Sequence, residues 1–280
     1  METFDSVSRM RTAAARLRSE KGVVSLVPTM GALHPGHEAL IGAAKSAGGA
    51  VVVSVFVNPL SFGSNENFAG YPRSAEADIA LCERLGVDAV FIPQTLEIYP
   101  KGYSTYVSEE GVSKPLCGVS RPTHFRGVTT FITKLINIVG PARIFLGQKD
   151  VQHVAVVRKV IADLNYDVEI TVVPTVRETD GMAVSVRNRD LTSTQRREAL
   201  AIHHALVKAK EMVDSGVRST DRLVAEVTHI LGKNNRVRVI YASVVDPGTM
   251  EAIREVEPGK ALLCIAAWVD EIRLTDNVVL

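Results

Sequence analysis

Along the first part of the chain, apolar and β-branched runs alternate with stretches whose apolar positions recur at helical spacing. Val23–Thr29, Val51–Val57, Ala89–Pro93, Arg143–Leu146 and Val168–Val173 are the strand-like runs. Val51–Val57 is apolar almost without interruption, the pattern of a strand covered on both faces in a parallel sheet. Helices are expected between these runs at Glu38–Ala47, Ser74–Leu85, Val128–Val139 and Val151–Leu164. The first places Leu40, Ile41 and Ala44 on one face. The second has Ser74 as N-cap and Gly86 as C-cap. Such alternation predicts βαβ units in a doubly wound parallel sheet, which binds ligands beyond the carboxyl ends of its strands.

The pattern changes after Arg189. Thr194–Val213 and Asp221–Leu231 read as helices, and Val237–Val245, Ala261–Val269 and Glu271–Leu274 as strands. This predicts a smaller C-terminal α+β domain, with the boundary in the polar stretch Arg177–Asp190, so that residues 1–176 form the first domain and 177–280 the second. The loop Asn58–Pro72 follows a strand end and is rich in Asn, Ser and Gly; long loops in that position are often functional.

Composition narrows the partners. The 280 residues carry a net charge of +1, with 46% apolar and 22% charged residues, ordinary values for a globular protein. No basic excess points to nucleic acid or anionic lipid. Met1–Arg18 lacks the apolar core of a signal peptide, and no apolar run is long enough for a membrane span. Cys82, Cys117 and Cys264 are scattered and odd in number, which argues against a disulfide framework or zinc knuckle and favours a reducing cytoplasm.

Three segments carry candidate chemistry. In Met30-Gly31-Ala32-Leu33-His34-Pro35-Gly36-His37, the glycines allow close backbone approach and the following helix offers free N–H groups to phosphate. Residues three apart at a helix start face the same way, so His34 and His37 can both donate to one phosphate chain. Taken alone, an unrelated pair of turn histidines is as good a reading; a metal site is weaker, because the spacing is not that of a helical pair and no third ligand stands nearby. Gly147-Gln148-Lys149-Asp150 also lies between a strand and a helix, and Lys149 can neutralise phosphate, although a solvated surface pair explains Lys-Asp equally simply. Ser185 and Arg187, two apart in Asp180–Asn188, can meet one anion if the segment is extended; a surface loop is the plain alternative.

Together, and in this order, the segments resemble the pantoate–β-alanine ligase (pantothenate synthetase) family. The likeness runs through Val27–Leu40, Phe56–Gly63, Tyr71-Pro72-Arg73, Arg121–Val128, Lys134-Leu135, Gly147–Asp150, Asp180–Asn188 and Arg273–Asn277. It implies a Rossmann-like domain of the two-histidine nucleotidyl-transferase type, with the C-terminal domain as a lid. It also implies a homodimer that uses ATP with Mg²⁺. Met30, Gly31, His34 and His37 correspond to its ATP signature, with His37 as proton donor. Gly147, Lys149 and Asp150 match its second ATP motif, and Val176 an adenine contact. Val184, Ser185, Val186 and Arg187 fall on its mobile phosphate-binding segment. Asn58, Tyr71, His124 and Gln152 fall at the substrate pocket. The implied reaction activates a carboxylic acid as an acyl adenylate, releasing pyrophosphate, and then passes the acyl group to an amine, releasing AMP. Retention of AMP on the product is the alternative within the same fold, and a tRNA-charging enzyme is disfavoured by the charge balance.

Three positions depart from the pattern, one of them Val186, where the phosphate-binding segment of the family usually has a second serine. The resemblance implies a glutamine where this chain has Ser61 and another where it has His153, both holding pantoate. A serine is shorter and an imidazole bulkier and ionisable. The ATP half of the site therefore reads as intact and the acid half as rebuilt, for pantoate held differently or for another acid.

Overall fold

The computed structural model describes residues 1–63 and 67–280; the middle of the Asn58–Pro72 loop lies outside the described residues. Nine strands are formed: β1 (Glu2–Phe4), β2 (Val24–Thr29), β3 (Ala50–Val55), β4 (Ala89–Phe91), β5 (Arg143–Gly147), β6 (Glu169–Val173), β7 (Val237–Val245), β8 (Leu262–Val269) and β9 (Ile272–Val279) among the described residues. The helices are α1 (Val7–Lys21), α2 (Pro35–Ser46), α3 (Ala75–Arg84), α4 (Thr95–Ile98), α5 (Cys117–Ser120), α6 (His124–Val139), α7 (Val151–Asp163), α8 (Ser193–Asp214) and α9 (Thr220–Gly232). No helix among the described residues is long and apolar enough to cross a membrane.

The chain divides into two compact units. One comprises Met1–Glu110, Arg121–Gly147 and Val156–Pro174; the other comprises Gly111–Ser120, Gln148–Ala155 and Thr175–Leu280. The first unit holds a six-stranded sheet in the order β1-β4-β3-β2-β5-β6, parallel throughout. From β2 the chain steps outward through β3 to β4, then returns to place β5 on the other side of β2. The order reverses between β2 and β5, so their carboxyl ends flank the switch point where doubly wound sheets bind ligands. Val27, Val51, Val53, Val90 and Phe145 pack beneath Leu40, Ile41 and Ala44 of α2 in one buried cluster, the face its apolar spacing predicts.

Helix α1, strand β1 and the short helices α4 and α5 had no counterpart in the hydrophobic pattern. Helix α1 buries only the narrow stripe Met10, Ala13, Ala14 and Leu17 amid arginines that dilute its periodicity. Strand β1 pairs with β4 through just Glu2, Thr3 and Phe4. Helix α6 also begins at His124, earlier than the apolar run at Val128 suggests.

The second unit contains the antiparallel sheet β7-β8-β9. On one face, Leu263, Ile265, Ala267 and Leu274 pack with Ile202, Ala205 and Leu206 of α8 and with Leu223, Val227 and Leu231 of α9. Strand β9 continues well past the predicted end at Leu274, through Thr275, Asp276 and Asn277. These residues look unlike a strand because their partners are polar.

Candidate functional site

The loop from β2 to α2 is shaped by a carboxylate brought from α3. Asp78 is buried, and its two oxygens accept the backbone N–H groups of Ala32 at 2.9 Å and Leu33 at 2.8 Å. The C-cap of α3 is Leu85, one residue before the expected Gly86; Ser74 stands at the N-cap position as expected, but its hydroxyl makes no capping bond and reaches the carboxylate at 3.2 Å instead. This tether holds Gly31 at φ +82° and Ala32 at +50°. The second value is one that an L-residue with a Cβ adopts at a cost of about 1–2 kcal/mol.

The chain then enters α2 with His34 as N-cap. The Gly36 N–H donates to His34 Nδ1 at 3.1 Å, and the His34 N–H donates to His37 Nδ1 at 3.2 Å. The pair thus makes a reciprocal cap in which imidazoles replace the usual oxygens. A Cβ on Gly36 would lie 2.9 Å from His34 Cε1, so a side chain there would displace the ring. The ring centroids are 4.0 Å apart. Because each Nδ1 accepts a hydrogen bond, the hydrogen of each neutral imidazole belongs on Nε2. Both rings therefore carry a donor on the edge opposite the cap, at the positive end of a helix. Met30, half-buried, precedes this turn.

A second cluster of this unit follows β3. Asn58 is buried and its carboxamide is fully engaged: Nδ2 donates to Ser61 Oγ and the Gly127 carbonyl, both at 2.9 Å, while Oδ1 accepts from the Leu60 N–H at 3.2 Å and the Tyr99 hydroxyl at 3.0 Å. Burial pushes the Tyr99 phenol far up, with Tyr103 adding to it and the Asn58 bond opposing, so it stays a donor. Ser61 is buried as well. Its carbonyl accepts from Arg121 at 3.0 Å, and His124 Nδ1 lies 2.8 Å away. Gly127 of α6 is necessary here: a Cβ would press into the Leu60 carbonyl and lie 2.7 Å from the Ser61 nitrogen. Tyr71 stands edge-on to Phe62, with ring centroids 5.8 Å apart.

Gly147 ends β5 in the first unit, whereas Lys149, Asp150, Gln152 and His153 belong to the second. Lys149 Nζ lies 3.5 Å from both Asp150 Oδ1 and Thr275 Oγ1. Gln152 is buried; its Nε2 donates to the carbonyls of Val112 and Pro115, and its Oε1 accepts from the Cys117 N–H. It fastens the segment before α5, a role that its place in a substrate motif did not suggest. Desolvation holds the His153 imidazole below its ordinary 6.5, with the Asp150 charge opposing, so the ring is neutral at neutral pH.

In the same unit, residues 176–188 fold back on themselves. The Val184 N–H donates to the Val176 carbonyl at 2.9 Å, and Arg177 bridges Ala183. Ser185 caps the 3-10 turn Val186–Asp190 by accepting the Arg187 N–H at 3.3 Å. Arg196 clasps the near end, donating to Glu178 at 2.7 Å and to Asp180 at 2.6 Å. Residues that the motifs alone did not single out, Asp78, Tyr99, Gln152 in its bracing role, Arg177 and Arg196, all act through backbone carbonyls, N–H groups or other side chains. No sequence spacing marks such contacts.

A doubly wound sheet with a histidine-capped helix at its switch point defines a nucleotide-binding α/β protein of the two-histidine type. The family model for pantoate–β-alanine ligase matches residues 2–279, and the chain belongs to that family. The pantothenate synthetases of Pseudothermotoga lettingae and Moorella thermoacetica are each 44% identical over 280 residues, covering 100% of this chain and 99% of the relative. The crystal structure of Thermus thermophilus pantothenate synthetase superposes with a TM-score of 0.94 at 38% identity, covering 100% of this chain and 99% of that one. That of the Francisella tularensis ligase, complexed with β,γ-ATP and β-alanine, gives 0.82 at 29%, covering 100% and 97%.

Proposed function

We infer that the protein is an ATP-dependent amide ligase that joins pantoate to β-alanine, yielding pantothenate, AMP and pyrophosphate. The observation that carries the reading is the paired Nε2–H donors of His34 and His37 at the start of α2, within a chain that matches the ligase family over 2–279. A carboxylate is a poor acyl donor, and converting it to an acyl adenylate supplies a good leaving group. His34 and His37 stabilise the charge that passes to pyrophosphate as the carboxylate attacks the α-phosphate, with His37 as proton donor. Met30 and Gly31 line the same turn. Gly147, Lys149 and Asp150 form the second phosphate contact, Val176 meets the adenine, and Val184–Arg187 bring Ser185 and Arg187 to the phosphates. Asn58, Tyr71, His124 and Gln152 serve the acid, Asn58 and Gln152 by fixing backbone each within its own unit.

Mg²⁺ accompanies ATP in this reading. It keeps several waters, takes phosphate oxygens and needs only one or two carboxylates. Asp150 fits that need, with a side chain 64% exposed beside Lys149. Held there, the cation would neutralise phosphate charge. The enzyme works as a homodimer in the cytoplasm, where three free thiols are at home.

A second reading, another acid in place of pantoate, is favoured by Ser61, whose Oγ is already bound to Asn58, and by the neutral His153. Pyrophosphate and AMP release with pantoate, β-alanine and a panel of related acids tests both. Efficient turnover of pantoate refutes the second reading. Pyrophosphate release without free AMP refutes amide ligation in favour of adenylyl transfer.

A further inference from the structure

Strand β9 carries two buried polar neighbours, Asp276 and Asn277. Successive residues of a strand face opposite sides of the sheet, and here each side receives a different segment of the same unit. On the face shared with Thr275, Asn277 Nδ2 donates to two consecutive carbonyls, those of Gln148 and Lys149, both at 2.9 Å. On the face shared with Leu274, the Asp276 carboxylate takes Arg177 in a two-pronged pair at 2.7 and 3.1 Å. Arg177 Nη1 also donates to the Gly181 carbonyl at 3.0 Å, which pins the fold-back of residues 176–188. Asp276 Oδ1 accepts the Asn277 N–H at 2.8 Å, so the two anchors are themselves linked.

We propose that Asp276 and Asn277 form a positioning couple for the adenylation step: Asn277 sets the Lys149 turn, and Asp276, through Arg177, sets the segment bearing Ser185 and Arg187. In this reading both residues act on the phosphates only through the segments they hold. The proposal rests on the reading of those two segments as phosphate-binding. Its physical content is that one short strand fixes the spacing between two groups that must meet the same triphosphate. Lys149 is well suited to such control. A flexible ammonium is a point charge, and its aim depends on where its own backbone is held. The two donors of Asn277 grip that backbone from below, and Thr275 Oγ1 lies 3.5 Å from Nζ.

The test separates anchoring from chemistry. Hydrogen exchange on the ligand-free protein reads anchoring alone: Asn277→Asp, which preserves shape but removes both donors, should speed exchange at 147–151, and Asp276→Asn should speed it at 176–188. Unchanged exchange in both variants overturns the proposal whatever the reaction proves to be. Steady-state pyrophosphate release then reads the consequence. Asn277→Asp should lower kcat by roughly 100-fold, the scale of an ångström of misplacement, while Asn277→Ser, which keeps one short donor, should fall between it and the parent. In a Lys149→Ala background the Asn277 substitution should cost less than about 3-fold more, since residues acting through one another are non-additive. Equal losses in both backgrounds would mark a merely structural residue and overturn the proposal. Faster exchange in the variants, together with a parent protein that releases no pyrophosphate, would leave the anchors standing and refute the ATP reading instead. If Asn277→Asp does not fold, Asn277→Ser replaces it in both arms, and additivity with Lys149→Ala has the same meaning.

Discussion

Replacing Asp78 by asparagine tests whether a buried carboxylate on α3 shapes the turn between β2 and α2. The carboxylate accepts two N–H groups, at 2.9 and 2.8 Å, and hydrogen bonds to a charged group contribute about 1.5–3 kcal/mol each. Asparagine retains one acceptor and turns an NH₂ group toward the other N–H. One bond is therefore lost outright, leaving a buried donor unpaired, and the other falls to neutral strength. Relief of the carboxylate's burial cost offsets part of this, so a net loss of about 2–3 kcal/mol is expected. Against a total stability of roughly 5–15 kcal/mol that is a large fraction, and it should lower the urea midpoint visibly in far-UV circular dichroism. Activity should fall further than stability alone explains. Without the tether Ala32 is released from its positive φ, and the His34 cap shifts with it. Pyrophosphate release under conditions where the variant is folded should drop about 10- to 100-fold. A variant with the parent's urea midpoint and the parent's kcat would refute the reasoning.

Gly127→Ala forces a methyl group against backbone at Leu60 and Ser61; a loss of about 1–3 kcal/mol is expected, and a melting temperature equal to the parent's would contradict the contact. Burial disfavours the Asp88 carboxylate, but Lys21, the Val51 N–H and Lys45 together outweigh it and hold its pKa below the ordinary 3.8. Its stabilising contribution is therefore complete above that value and vanishes as pH falls through the lower folded value. Asp88→Asn should be less stable than the parent at neutral pH, with the gap closing as pH falls below the ordinary 3.8; a constant gap in urea midpoints would rule this out. His153→Gln should lower KM for pantoate by roughly 10-fold, the worth of one hydrogen bond, leaving KM for ATP unchanged; an unmoved pantoate KM removes position 153 from the acid pocket.

The alternation of buried strands and amphipathic helices made the parallel sheet legible, because strands covered on both faces have little choice but to be continuously apolar. Ala50–Val55 and Arg143–Gly147 are such strands. Helix α1 was not legible, since alanines form half of its buried stripe and alanine carries little hydrophobic signal. Strand β9 was cut short for the opposite reason. Thr275, Asp276 and Asn277 are polar because they hold other segments, and polarity reads as a turn until those segments are in place. The candidate site divides along the same line. His34 and His37 stand out because they are rare residues at a strand–helix junction, whereas Asp78 is an ordinary acid in the first turn of a helix, and only the fold brings it to the Ala32 and Leu33 N–H groups.

The saturation of Asn58 has a consequence for how this site can change over generations. Of its four hydrogen bonds, one goes to the Ser61 side chain; Leu60, Gly127 and Tyr99 take the others. The course of the loop is thus underwritten mostly by partners other than residue 61. In the proposed acid pocket, a mutation at that codon would change what the acid meets while three of the four Asn58 bonds stay in place. Selectivity and architecture would then be inherited largely through separate residues, and a single-nucleotide step could explore one at small cost to the other.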